Sequence, residues 1–107
     1  MAIAGKKIGF IGTGKMGEAL IKGILHAKLV TPDKIYASDA DTAKLKSLEK
    51  SYNINNCSNN SEVVQNSDII IIAVKPQIVP KVLEEINGSI KKHIVISIAA
   101  GVPIETY

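Results

Sequence analysis

Four consecutive isoleucines, Ile69-Ile70-Ile71-Ile72, constrain the fold more than any other feature of this chain. Successive side chains of a strand point to opposite faces. A run this apolar therefore needs cover on both sides, as strands of parallel sheets have. It reads as a strand from Asp68 to Val74, ended by Pro76. Lys7–Ile11, Ile35–Ser38 and His93–Ile98 are apolar runs of the same kind, and Ile54 marks a short third strand at most. Between them the period changes to that of a helix. Met16, Ala19, Leu20, Gly23, Ile24 and Ala27 form one predicted face, and Thr31-Pro32-Asp33 breaks that helix. Asp41 or Thr42 caps a second helix through about Ser51, with Leu45 and Leu48 inward. Asn59-Asn60-Ser61 is a polar loop before a short helix around Glu62-Val63-Val64-Gln65. Ile78, Val79, Val82, Leu83 and Ile86 give a fourth helical face, with Pro80 tolerated in its first turn and Asn87-Gly88 as its stop. Strand and helix alternate, so the expected class is α/β, a mostly parallel sheet with helices on both faces.

Composition narrows the function classes. At 107 residues and 46% hydrophobic, the chain is one domain, 1–107, able to build a core. No apolar run approaches a membrane span and the N-terminus has no signal-peptide pattern, so a cytoplasmic protein without membrane contact is expected. A single cysteine, Cys57, excludes an internal disulfide and any multi-cysteine metal site; no metal is expected. The net charge of +3 comes from 13 lysines without any arginine, and these are scattered among acidic residues. With no tryptophan and one phenylalanine, the chain has neither the dense basic patch nor the stacking platform of a nucleic-acid binder.

Gly12-Thr13-Gly14-Lys15-Met16-Gly17 fits G-x-G-x-x-G, directly after a predicted strand and opening a predicted helix. By itself the pattern is weak; in this context it is a dinucleotide fingerprint. Gly12 permits the tight turn, Gly14 lets a pyrophosphate approach the backbone, and Gly17 lets the helix pack close to the strand. The helix start then offers unpaired N–H groups to the phosphates. Asp39 ends the second strand, 22 residues beyond Gly17, where an acidic residue commonly accepts from the adenosine ribose. Its alternative is to cap the next helix, but Asp41 is better placed for that, which leaves Asp39 freer for a ligand. The expected architecture is Rossmann-like.

Gly9-Phe10-Ile11-Gly12-Thr13-Gly14-Lys15-Met16-Gly17, Ala73-Val74-Lys75-Pro76-Gln77 and Ser97-Ile98-Ala99-Ala100-Gly101-Val102 together resemble pyrroline-5-carboxylate reductase. The glycine loop is shared with many dehydrogenases; the two later turns are more specific. The resemblance implies an NADP- or NAD-binding domain of an enzyme that reduces 1-pyrroline-5-carboxylate to L-proline by hydride transfer from NAD(P)H. It implies that Ile11, Gly12, Thr13, Gly14, Lys15 and Met16 wrap the pyrophosphate, with Gly17 completing the cofactor-binding loop. Ser38 and Asp39 would meet the adenosine ribose, and Asn60 matches a position where the family has a cofactor-contacting Asn; Ala73, Val74, Lys75 and Pro76 would meet the nicotinamide-side ribose, and Ala99, Ala100 and Gly101 the ring. A C-terminal helical domain, which dimerises and supplies substrate contacts, is expected beyond this chain, making the full-length protein a homo-oligomer. No catalytic residue is assigned here.

Cofactor choice pulls two ways. Family members accept NADPH, yet this chain lacks arginine and places Asp39 where a carboxylate repels a 2′-phosphate; Ser38, Asn60 and Lys44 are the available donors. Both cofactors are expected to bind. His26 and His93 read as helix-end or surface residues, Cys57 as a plain thiol, and Lys75 as a positioning residue. Alternative readings are a related dehydrogenase, a deazaflavin-dependent NADP reductase, and a non-catalytic nucleotide-sensing module.

Overall fold

The computed structural model describes residues 6–90 and 93–98. Five strands, β1 (Ile8–Ile11), β2 (Ile35–Ser38), β3 (Asn55–Asn56), β4 (Ile69–Ile72) and β5 (Ile94–Ser97), form one sheet in the order β3-β2-β1-β4-β5. Every pairing is parallel. Helices α1 (Lys15–His26), α2 (Thr42–Tyr52), α3 (Asn60–Asn66) and α4 (Val79–Ile86) make the crossovers. Short 3₁₀ turns at Pro32–Lys34 and Pro76–Ile78 precede β2 and α4.

The isoleucine run behaves as its composition requires. Ile71 packs with Phe10, Ile21 of α1 and Leu45 and Leu48 of α2, and Ile69 lies against the same cluster. Ile70 and Ile72 point the other way, onto Val63 and Val64 of α3 and Val79, Val82 and Ile86 of α4. The sheet is thus the middle layer of three. The strand is shorter than the predicted Asp68–Val74; at its start the Asp68 carboxylate accepts from the Lys7 N–H at 2.9 Å.

Two expectations about burial fail. In α1 the buried residues are Gly17 and Ile21, with Leu20, Ile24 and Leu25 against the core. Met16 is 58% exposed, and Ala19, Gly23 and Ala27 also face outward. The stripe is rotated by about one residue because the helix touches the sheet at Gly17, where a Cβ would lie 3.2 Å from that of Ala73. Contact at the smallest residue, rather than the largest, sets the rotation. The second failure is β5: as an edge strand it leaves Ile94 59% and Ile96 37% exposed, so its cover is one-sided among the described residues.

Gly9 shows how tightly α3 is seated. A Cβ there would collide with Ser67 Oγ and Val63 Cγ1. Gly9→Ala is expected to destabilise the fold by about 1–3 kcal/mol through overpacking. A lowered urea midpoint at unchanged m-value checks this.

Candidate functional site

The C-terminal ends of β1, β2 and β4 open into a cleft of about 720 Å³. This is where open α/β sheets bind ligands. Ile11, Gly12, Thr13 and Gly14 form its floor, Asp39, Ala40 and Asp41 one wall, and Ala73, Val74 and Lys75 another. Lys44 of α2, Asn60 of α3 and Ile78, Lys81, Val82 and Glu85 close the mouth. A smaller depression of about 430 Å³ between Leu25 and Lys34 lies at the opposite end of the sheet. Its lining is mainly the turn entering β2, with no converging set of polar groups.

The three motif glycines have different reasons to be glycine. Gly12 has φ +81°, and a Cβ there would lie 2.5 Å from Val74 Cγ1 and 2.9 Å from the Ala73 carbonyl oxygen. Gly17 is the contact described above. Gly14 is exposed at φ −57°, and a Cβ would meet only the Ala73 oxygen, at an ordinary 3.8 Å. The protein itself does not need glycine at position 14. Gly14 is also the N-cap of α1 and supplies no side-chain cap, whereas α2 is capped by Asp41 and α3 by Asn59. The first-turn N–H groups of α1 are left for an external acceptor, and the positive end of the helix dipole favours an anion there.

Asp39 is less free than its position in the sequence suggests. Its Oδ2 accepts from the Thr13 backbone N–H at 2.8 Å and the Thr13 hydroxyl at 2.7 Å, while Oδ1 accepts from the Asp41 N–H at 2.8 Å. Asp41 is the α2 cap, as expected, accepting from the Lys44 N–H at 3.1 Å. Burial pushes the Asp39 carboxyl up, but the Thr13 hydroxyl, the two backbone N–H groups and the nearby Lys44 charge outweigh it, so its pKa lies below the usual value. Thr13, fully buried, is a loop anchor, with both its donors given to Asp39.

Ser38 lies buried beneath the cleft and donates to Asn60 Oδ1 at 2.6 Å. Asn60 is the first residue of α3 rather than part of the preceding loop, and its Nδ2 donates to Glu85 Oε2 at 2.8 Å. A side lobe of the cleft runs past Ser38, Asp39, Ala40, Ser58, Asn59 and Glu85. Lys15, Met16 and Pro76 do not line the main cleft, and Ala99, Ala100 and Gly101 lie outside the described residues. Sequence reasoning missed Lys81 and Glu85. They stand one turn apart on the helix that leaves β4, and that spacing beside the apolar stripe was the available signal.

Cys57 is buried, and burial together with the Glu62 charge pushes its thiol up to about 11. His93 Nε2 lies 2.9 Å from the Val64 carbonyl, at the end of α3. No cluster of three metal-ligating side chains occurs among the described residues, and no helix among them is long and apolar enough to cross a membrane.

Residues 7–101 match the family described as NADP oxidoreductase, coenzyme F420-dependent. The chain belongs to this family. Within it, the chain is 48% identical over 103 residues to the pyrroline-5-carboxylate reductase of Methanosarcina acetivorans, covering 95% of this chain and 38% of that protein. The Escherichia coli pyrroline-5-carboxylate reductase is 44% identical over 101 residues, covering 94% and 38%. The NADP-bound crystal structure of Plasmodium falciparum pyrroline carboxylate reductase superposes with a TM-score of 0.81 at 32% identity, covering 96% of this chain and 37% of that one. The chain therefore spans a little under two-fifths of the length of these relatives. The Rossmann-like, parallel α/β architecture is that of the reductases it resembles.

The Asp39–Thr13 contact sets a pH dependence. A carboxylate whose folded pKa is depressed stabilises the fold above its unfolded value, about 3.9, and that contribution is lost as pH falls through the lowered pKa. Asp39→Asn is expected to cost roughly 1 kcal/mol at pH 7, the pair being only partly buried. It should also flatten the loss of stability below about pH 4 relative to the wild type. Denaturation curves across pH 2–7 give both readings.

Proposed function

We propose that this chain is the NAD(P)-binding domain of a cytoplasmic pyrroline-5-carboxylate reductase, which forms L-proline by hydride addition to the C=N bond of 1-pyrroline-5-carboxylate. The observation that carries the dinucleotide reading is Gly14, a glycine the fold does not require, at an uncapped helix start on the cleft floor. A side chain there fills the space a pyrophosphate needs. The names of the relatives with up to 48% identity supply the substrate class.

The bound cofactor carries the hydride; the protein's part is to bind, orient and exclude water. In this reading the loop from Ile11 to Gly17 faces the pyrophosphate, through the N–H groups that open α1. Asp39 holds that loop in place and lies beside the adenosine ribose with Ser38 and Asn60. Ala73, Val74, Lys75 and Pro76 follow β4 beside the nicotinamide-side ribose. The turn of Ala99, Ala100 and Gly101 is assigned to the ring by family resemblance. Substrate contacts and homo-oligomer formation are assigned to the remaining three-fifths of the reductase. The family description favours a second reading, a deazaflavin-dependent NADP reductase. It shares the same nucleotide cleft and differs in the partner of the hydride.

Calorimetric titration of the 107-residue chain with NADPH and NADH is expected to show saturable binding of both. Gly14→Val should weaken both strongly while the chain still folds, since the added side chain meets open space in the protein and a valine N-cap costs only about 1 kcal/mol. Unchanged affinity in a folded Gly14→Val chain would sink the assignment. With 1-pyrroline-5-carboxylate and NADPH the same chain is expected to bind cofactor without enzyme-like turnover, because the orientation of substrate is not supplied. Robust proline formation by the 107 residues would show that expectation wrong.

A further inference from the structure

Ser38, Asn60 and Glu85 form a hydrogen-bonded chain across one side of the cleft, linking the end of β2, the start of α3 and the last turn of α4. The chain fixes the Asn60 amide: its oxygen accepts from Ser38 and its NH₂ group gives to the Glu85 carboxylate. The Ser38 hydroxyl has one proton and spends it inward. The Ser38 proton and one of the two Asn60 N–H groups are thereby committed to protein partners. The exposed Glu85 carboxylate also faces the ligand space, and its hydrogen-bond partner among the described residues is Asn60. It lines both the main cleft and the side lobe that holds Ser38 and Asp39. A carboxylate only accepts. It welcomes a ribose hydroxyl and repels a phosphate dianion.

We infer that Glu85 is a specificity-determining residue: its carboxylate favours a dinucleotide with a free ribose 2′-hydroxyl over one bearing a 2′-phosphate. The inference rests on the dinucleotide reading of this same cleft. Lys44 and Lys81, which line the cleft, act in the opposite direction. Glu85 therefore moves a ratio of affinities and does not exclude NADPH.

The experiment is calorimetric titration of the chain with NADPH and NADH, at low salt and at about 0.5 M salt, where exposed charges are screened. Glu85→Gln keeps an acceptor for Asn60 Nδ2 and removes the charge. It should tighten NADPH relative to NADH by about three- to ten-fold at low salt, and the shift should shrink at high salt. Glu84→Gln removes the same charge from a neighbouring exposed position that does not line the cleft. It should leave the ratio unchanged. A ratio that stays put in Glu85→Gln, or moves equally in Glu84→Gln, overturns the inference while leaving dinucleotide binding intact. A wild-type chain that binds neither cofactor overturns the dinucleotide reading and this inference with it.

Discussion

The carboxylate of Asp39 joins the ends of two neighbouring strands. By accepting from Thr13 on one side and from the Asp41 backbone on the other, it ties the loop after β1 to the loop after β2. A cleft between strand ends is built from loops, and loops are the mobile part of such a fold. Here a partly buried, charge-assisted contact holds the glycine turn so that α1 starts with its N–H groups toward the cleft. Charge-assisted bonds of this kind are stronger than neutral ones. The Gly12 N–H to the Ser38 carbonyl, at 2.9 Å, closes the same junction from below.

The third strand of the junction, β4, contributes through close approach. Ala73 is the residue against which both Gly12 and Gly17 lie. A larger residue at either position would push α1 or its entry turn away from β4. The two structural glycines thus set the distance between helix and sheet, and the third is spare within the protein. This division separates what the fold demands from what a ligand would demand.

Charge around the cleft is mixed. Asp39, Asp41 and Glu85 line it together with Lys44, Lys75 and Lys81. The acidic groups also differ in kind: Asp39 and Asp41 are spent on backbone N–H groups, while Glu85 holds a side-chain amide at the rim. Arginine-free sequences cannot use a bidentate fork for a phosphate. A phosphate at this rim would therefore depend on lysines and on the Asn60 amide, since the Ser38 hydroxyl is turned inward.

Much of this protein was legible in its residues. The isoleucine run required a sheet covered on both faces, because a strand's side chains alternate while its composition did not. The glycine loop between strand and helix located the cleft, because only that spacing joins a tight turn to an open helix start. The Asp41 cap and the inward Leu45 and Leu48 follow from local chemistry and were readable for the same reason. What the sequence left undetermined depends on distances between elements. The rotation of α1 was set by contact at Gly17, which carries no hydrophobic signal. The commitment of Asp39 to Thr13, 26 residues away, is a tertiary hydrogen bond that no local pattern encodes. The meeting of Ser38, Asn60 and Glu85 likewise needs three crossovers folded onto one sheet. The kinds of residue at the cleft were written in the chain; which of their donors and acceptors remained free was decided by packing, because a hydrogen bond made inside the protein is one withheld from a ligand.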